Sequence, residues 1–234
     1  MALDVYAVNI GQDEGMDGAG GYARAHPGKG GYHHGDLRNA LLEAATQLAR
    51  DGGPEAVVLR AVARRVGVSP TAAYRHFSSQ ADLLDALKDR SQRRLAEAME
   101  RAAEGAPEAL PPGERMRAIG RGYLRFALAE PGLYRVCFCR TRPDRGAGEE
   151  CPDVERGQWM HRSFQILVEA LDAIEASGCM RPGVREGAET AAWAAVHGLA
   201  MLLLDGQLTG LGERERDALV DRCVDAVVAG LVVP

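Results

Sequence analysis

The run Gly67-Val68-Ser69-Pro70-Thr71-Ala72-Ala73-Tyr74-Arg75-His76-Phe77 constrains this chain most, because it follows directly on Leu59-Arg60-Ala61-Val62-Ala63-Arg64-Arg65-Val66. In the first run Leu59, Val62, Ala63 and Val66 recur at three and four, the spacing of one helix face. Gly67 then stops that helix. Ser69 is a good N-cap, and Pro70 suits a first helical turn, where its missing N–H costs nothing. Ala73 and Phe77, four apart, face inward, which leaves Ser69, Thr71, Ala72, Tyr74 and Arg75 outward. Two short helices joined by a tight glycine turn form a helix-turn-helix, the unit that lays its second helix in the major groove of DNA.

The net charge of −5 over 234 residues argues against nucleic acid until it is divided along the chain. Residues 22–78 carry eight Lys/Arg against four Asp/Glu, together with four of the six His. Residues 79–234 carry 20 bases and 25 acids, and residues 1–21 carry four acids and no base. The positive field is therefore confined to the candidate reading head, where phosphates would be neutralised.

The rest of the chain is read as helix after helix. Residues 1–30 are Gly-rich without a sustained period and are expected to be a flexible leader; an arm along DNA through Arg24, Lys29, His33 and His34 is the alternative. From Asp36, Leu37, Leu41, Ala44, Ala45 and Leu48 fall on one face. Helices are further expected over residues 79–104 (Ala81, Leu84, Leu87, Leu95 and Met99 inward) and 115–130, and in a short piece over 133–138. The segment 141–152 reads as a surface loop. A helix over 154–176 is expected to carry Trp159, Met160, Phe164, Leu167, Leu171 and Ile174. Residues 186–208 are almost wholly apolar from Ala191 to Leu204, which predicts burial on several sides. The last helix, 213–231, turns Leu219, Val220, Cys223, Val227 and Val228 inward. No convincing strand is found. The fold class is all-α, about nine helices, with an N-terminal three-helix head and a C-terminal helical bundle. The division expected is 1–30 leader, 31–79 DNA-binding domain, 80–234 ligand-binding and dimerisation domain.

In the head, Arg75 has the fork to hydrogen-bond guanine, and Thr71 or Ala72 can touch a thymine methyl. Tyr74 and His76 suit phosphate oxygens, and Arg60 reaches a base or a phosphate. These residues also resemble the N-terminal domain of TetR-type regulators. The resemblance rests on Tyr32-His33-His34-Gly35-Asp36-Leu37-Arg38, on the A-x-x-x-G-V-S turn, and on Ala73-Tyr74-Arg75-His76-Phe77 followed by Ala81-Asp82-Leu83-Leu84. It spans roughly residues 31–85. It continues less strictly in Glu130-Pro131-Gly132-Leu133-Tyr134-Arg135-Val136-Cys137-Phe138. Trp193-Ala194-Ala195-Val196-His197-Gly198-Leu199-Ala200 resembles the W-x3-H-G element of one C-terminal subclass. The resemblance implies a homodimeric transcription factor, mostly a repressor, on a palindromic double-stranded DNA operator, with a small-molecule effector in the C-terminal domain. Gln80 stands where the family usually has a phosphate-contacting Lys, and Val58 where a Thr commonly caps helix two. Pro70 and Ala72 bring no side-chain hydrogen bond. Base reading is therefore expected to rest on Arg60, Thr71 and Arg75, with Ser69, Pro70, Ala72, Tyr74, His76 and Gln80 completing the interface and DNA shape supplementing it.

For the C-terminal half, Tyr123, Phe126, Trp159, Met160 and Trp193 are candidates to line an apolar effector pocket, with His161 or His197 as polar anchor. The plain alternative is that they are core, with His197 bonded to a neighbouring helix. The apolar last two helices point to a second copy as partner.

No apolar run reaches the ~20 residues that span a bilayer, and no signal-peptide pattern is present, so a cytoplasmic location is expected. Five scattered Cys (137, 139, 151, 179, 223) read as reduced thiols rather than a redox sensor, and Cys137-Phe138-Cys139 lacks metal or redox spacing. Gly-rich phosphate loops, G-x-S-x-G and H-E-x-x-H are missing, so neither an enzyme nor a metal or cofactor is expected. A helical scaffold or adaptor without DNA binding is the other alternative, and it leaves the basic head unexplained.

Overall fold

A computed structural model describes residues 37–104, 111–139 and 162–233. Within them the chain is all-helical, apart from a single antiparallel bridge between Met180 and Val232. Nine α-helices are seen among the described residues: α1 (Leu37–Gly52), α2 (Leu59–Val66), α3 (Pro70–Tyr74), α4 (Gln80–Glu104), α5 (Pro112–Ala129), α6 (Pro131–Phe138), α7 (Arg162–Ala176), α8 (Ala188–Leu204) and α9 (Glu213–Leu231). A 3-10 turn, Pro54–Ala56, links α1 to α2. The leader, the loop at 141–152 and residues 154–161 of the expected seventh helix lie outside the described residues, and with them Trp159, Met160 and His161.

The head, α1 to α3, closes over Leu41, Ala45, Val57, Leu59, Val62, Ala63, Ala73 and Phe77, each no more than 2% exposed. The α1 face is broader than its sequence stripe: Leu42, Thr46 and Ala49 are buried, while Ala44 and Leu48 are half-buried. The reason is that α1 meets α2, α4 and α6 rather than one neighbour. Thr46 is accommodated because its hydroxyl donates to the Leu42 carbonyl at 2.8 Å. In α4 the row Leu83, Leu87, Leu95 and Met99 faces the core, with Ala81 and Leu84 only half-buried.

α5 runs through the middle of the body, against α4, α6, α7, α8 and α9. Its Tyr123, Phe126 and Ala127 are buried as their spacing predicts. α6 joins head to body. Gly132 sits on the end of α1 so closely that a Cβ there would lie 1.9 Å from the Ala49 carbonyl oxygen. Beside it, Arg50 Nε and Nη2 donate to the two carboxylate oxygens of Glu130 at 2.8 and 2.6 Å.

The expectation for α8 needs correcting. In the single chain it buries Ala188, Ala192, Ala200 and Leu203, but it exposes Ala191, Ala194, Gly198, Met201 and Leu202. Its apolar composition exceeds what this one chain can cover. The inward row of α9 is Val220, Val224, Val228 and Leu231, with Leu219, Cys223 and Val227 half-buried at its edge.

Candidate nucleic-acid interface

The turn between α2 and α3 is built by three local devices. Gly67 adopts a left-handed conformation (φ 79°) as the C-cap of α2, a region costly for residues with a Cβ. The Val68 amide donates back to the Ala63 carbonyl at 3.0 Å. Ser69 Oγ then accepts from the Ala72 amide at 3.2 Å, capping α3, and Pro70 occupies its first turn. Ala73 and Phe77 (0% and 2% exposed) anchor α3 to the core.

Anchoring one face exposes the other. Ser69, Pro70, Thr71, Tyr74 and Arg75 are exposed, Tyr74 to 47% although its side chain is largely apolar. Ala72 and His76 are half-buried. Arg60, one residue into α2, is exposed, as is Gln80, the first residue of α4. The start of α4 is fixed by Ser79 Oγ, which accepts from the Asp82 amide at 3.1 Å, and by a Ser78–Asp82 hydrogen bond. These positions bring together the groups a groove-reading helix needs: one guanidinium fork at the C-cap of α3, small residues beside it, and hydrogen-bonding groups on its flanks.

Sequence reasoning passed over three cations here. Arg64 and Arg65 are exposed in the last turn of α2, Arg65 lying 3.5 Å from Asp51. Arg38, on the first turn of α1, places its guanidinium 4.9 Å from the Phe77 ring centroid. That contact stacks a cation on the ring that ends the recognition segment. Only the Phe77 half of the pair had a periodic signal.

α2 lacks a side-chain cap. Val58 precedes it in extended conformation, 39% exposed, and makes no side-chain bond to the helix amides.

In the body, a cavity of about 40 Å³ lies between α4, α5, α7, α8 and α9, and Tyr123 is part of its wall. Of the other expected pocket residues that are described, Phe126 is buried in α5, and Trp193 and His197 lie in an adjoining aromatic cluster rather than on this wall. In that cluster the Tyr123 hydroxyl is 3.1 Å from the Tyr134 hydroxyl, and His197 Nδ1 is 3.0 and 2.8 Å from the two phenol oxygens. The rings of Phe138 and Trp193 pack on the imidazole at 4.6 and 5.4 Å. Burial holds the His197 pKa below the ordinary imidazole value and pushes both phenols above theirs. The neutral imidazole accepting from phenol O–H at Nδ1 fits these directions.

A capped and turned α2–α3 pair, an exposed basic and aromatic face, and an all-helical body joined to the head through α6 define a helix-turn-helix regulator class. Residues 41–87 match the family described as "Bacterial regulatory proteins, tetR family", and residues 116–227 match "Tetracyclin repressor-like, C-terminal domain". The chain belongs to the TetR family of bacterial transcription regulators.

A Rhodococcus sp. RHA1 protein of unknown function is 31% identical in sequence and superposes with a TM-score of 0.69, covering 88% of this chain and all of that one. The TetR-family regulator PfmR of Thermus thermophilus shares the fold at 20% identity (TM-score 0.57, 81% of this chain and 97% of that one). The nucleoid occlusion factor SlmA of Vibrio cholerae serotype O1 is 31% identical over 100 residues, 42% of this chain and 50% of that protein. The chain thus spans about half the length of the curated relatives it matches. No helix among the described residues is long and apolar enough to cross a membrane.

Proposed function

We propose that the protein is a homodimeric repressor that binds a palindromic operator and leaves it when a small molecule enters the body. Residues 31–79 form the reading domain, and residues 80–234 sense the effector and dimerise. In this reading Arg75, Thr71 and Arg60 contact bases. Tyr74, His76, Ser69 and Gln80 bind backbone phosphates, and Pro70 and Ala72 let the helix sit close to the groove. The observation that carries the proposal is the exposed Tyr74–Arg75 face on a helix held by Gly67, the Ser69 cap and the Ala73/Phe77 anchor. A structural bundle has no use for an exposed tyrosine and arginine at the end of a capped five-residue helix.

The test is a mobility shift with the DNA flanking the gene, at several salt concentrations. Affinity should fall steeply with salt, as phosphate contacts release counterions. Arg75→Ala should weaken binding by about 1–3 kcal/mol with little change in melting temperature. Binding indifferent to both salt and Arg75 would return the chain to the scaffold alternative.

A further inference from the structure

The cavity in the body has an apolar wall on which the two polar side chains among the described residues, Tyr123 and Ser163, already hold hydrogen-bond partners. We propose that it takes a small, uncharged, hydrocarbon-rich molecule carrying a single hydroxyl group, seated with that hydroxyl at Ser163. This deepens the effector reading above and rests on it for its regulatory meaning, though not for the binding itself.

Among the described residues on the wall, only Tyr123 and Ser163 carry a polar side-chain atom. No Lys, Arg, Asp, Glu or His is among them. A charged ligand would therefore lose its hydration and meet no counter-ion among these residues, which disfavours carboxylates and amines alike. The Tyr123 hydroxyl is held in the adjoining cluster, against Tyr134 and His197. That leaves Ser163 at the mouth of α7.

The direction of the Ser163 hydrogen bond can be deduced. Gln92, 5% exposed, donates from Nε2 to the Cys137 carbonyl at 3.0 Å. A carbonyl only accepts, so the nitrogen of this amide is fixed toward α6 and the oxygen Oε1 toward α7. Oε1 lies 3.2 Å from Ser163 Oγ, so the serine must donate to it. Its one proton is spent and its lone pairs remain. What Ser163 can offer a ligand is an acceptor, and the ligand group that matches is a neutral donor. An alcohol satisfies this; a ketone or ester sets its lone pairs against those of the serine.

The size follows from the rest of the wall. About 40 Å³ admits only a few heavy atoms as it stands. Met99 and Met116, unbranched and flexible, are the wall residues that can swing aside for a chain of about six carbons.

The experiment uses full-length protein with ¹³C-methyl methionine, in which Met99 and Met116 report on the cavity directly. The probes are 1-hexanol, 2-hexanone, hexanoate and hexylammonium, titrated separately at pH 7. We expect 1-hexanol to shift both methyl signals saturably and to bind about tenfold more tightly than 2-hexanone, with no saturable shift from the two ions. Ser163→Ala should bring hexanol down to the affinity of hexanone, and Ser163→Thr should restore the difference. The proposal is overturned if either ion binds as tightly as hexanol, if ketone and alcohol are equal in the wild-type protein, or if hexanol leaves Met99 and Met116 unmoved up to its solubility. The four-probe ranking in the wild type decides the matter even if Ser163→Ala does not fold. DNA binding without ligand is read separately, so failure of the repressor reading and failure of this one are distinguishable.

Discussion

At the scale of single residues, α2 of the head lacks a side-chain cap. Val58 leaves the first amides of α2 without a side-chain acceptor and spends an apolar side chain in solvent. Val58→Thr should raise unfolding stability by about 0.5–2 kcal/mol, readable as a higher denaturant midpoint at unchanged slope. A second residue-scale prediction concerns His197. Its imidazole is held neutral, with a folded pKa below the unfolded value of about 6.5. The unfolded chain then binds more protons between those two pKa values. The stability this contributes is complete above 6.5 and is lost as pH falls toward the folded pKa. His197→Gln should flatten the melting temperature between pH 7 and 5, and an unchanged slope would mean that other groups set it. Which residue details were legible in sequence follows from their range. The Ser69 cap, the Gly67 turn and the Ala73/Phe77 anchor span a few positions each and show in the local spacing. The Arg38–Phe77 stack joins residues tens of positions apart, and nothing in the local pattern marks it; a His inside an apolar helix signals a bond to a neighbouring helix, but not that Tyr123 and Tyr134 supply it.

At the scale of elements, α6 is the joint. It holds α1 through the Gly132 contact and the Arg50–Glu130 pair, and the body through Tyr134, through Gln92 Nε2 on the Cys137 carbonyl and through Lys88 Nζ on the Cys139 carbonyl at 3.1 Å. The ion pair is about one-third exposed on both sides, so it contributes at most about 1 kcal/mol. Shape matters more at this joint. Gly132→Ala would drive a methyl into the Ala49 carbonyl, a backbone atom that cannot yield without moving α1 or α6. We expect this variant to lose about 1–3 kcal/mol or more, while Arg50→Ala loses well under half as much. Equal losses would show that charge, not fit, fixes the joint. The helix α6 was legible as a short piece after Pro131. Its role was not, because a close backbone approach leaves only a glycine in the sequence, and this chain has 28 of them. The broad face of α1 was missed for a related reason: periodicity gives the direction of a buried stripe, while the number of neighbours sets its width.

At the scale of the whole molecule, the exposed apolar face of α8 is the surface on which the proposed dimer can be tested. Sequence composition predicted burial for this helix, and the single chain supplies it on one side only. Met201 and Leu202 are 39% and 42% exposed, in line with Ala191, Ala194 and Gly198, and the neighbouring α9 presents Ala218, Ala226 and Gly230. Small residues let two helices approach closely, and the larger pair at one end gains the most from being covered. A two-fold axis here would bury the same patch on both copies, so one substitution strikes the contact twice. The face should therefore be tested with a charge that leaves the folded chain untouched. Leu202→Arg projects into solvent in the single chain, so its thermal unfolding should remain cooperative, while sedimentation should change from a dimer to a monomer at micromolar concentration. Two linked heads can engage half-sites one helical turn apart, or a multiple of it, whereas a lone head engages one. Operator binding by Leu202→Arg should then fall far more than its half-site binding. A wild-type protein that sediments as a monomer would remove the second head, and with it the palindrome.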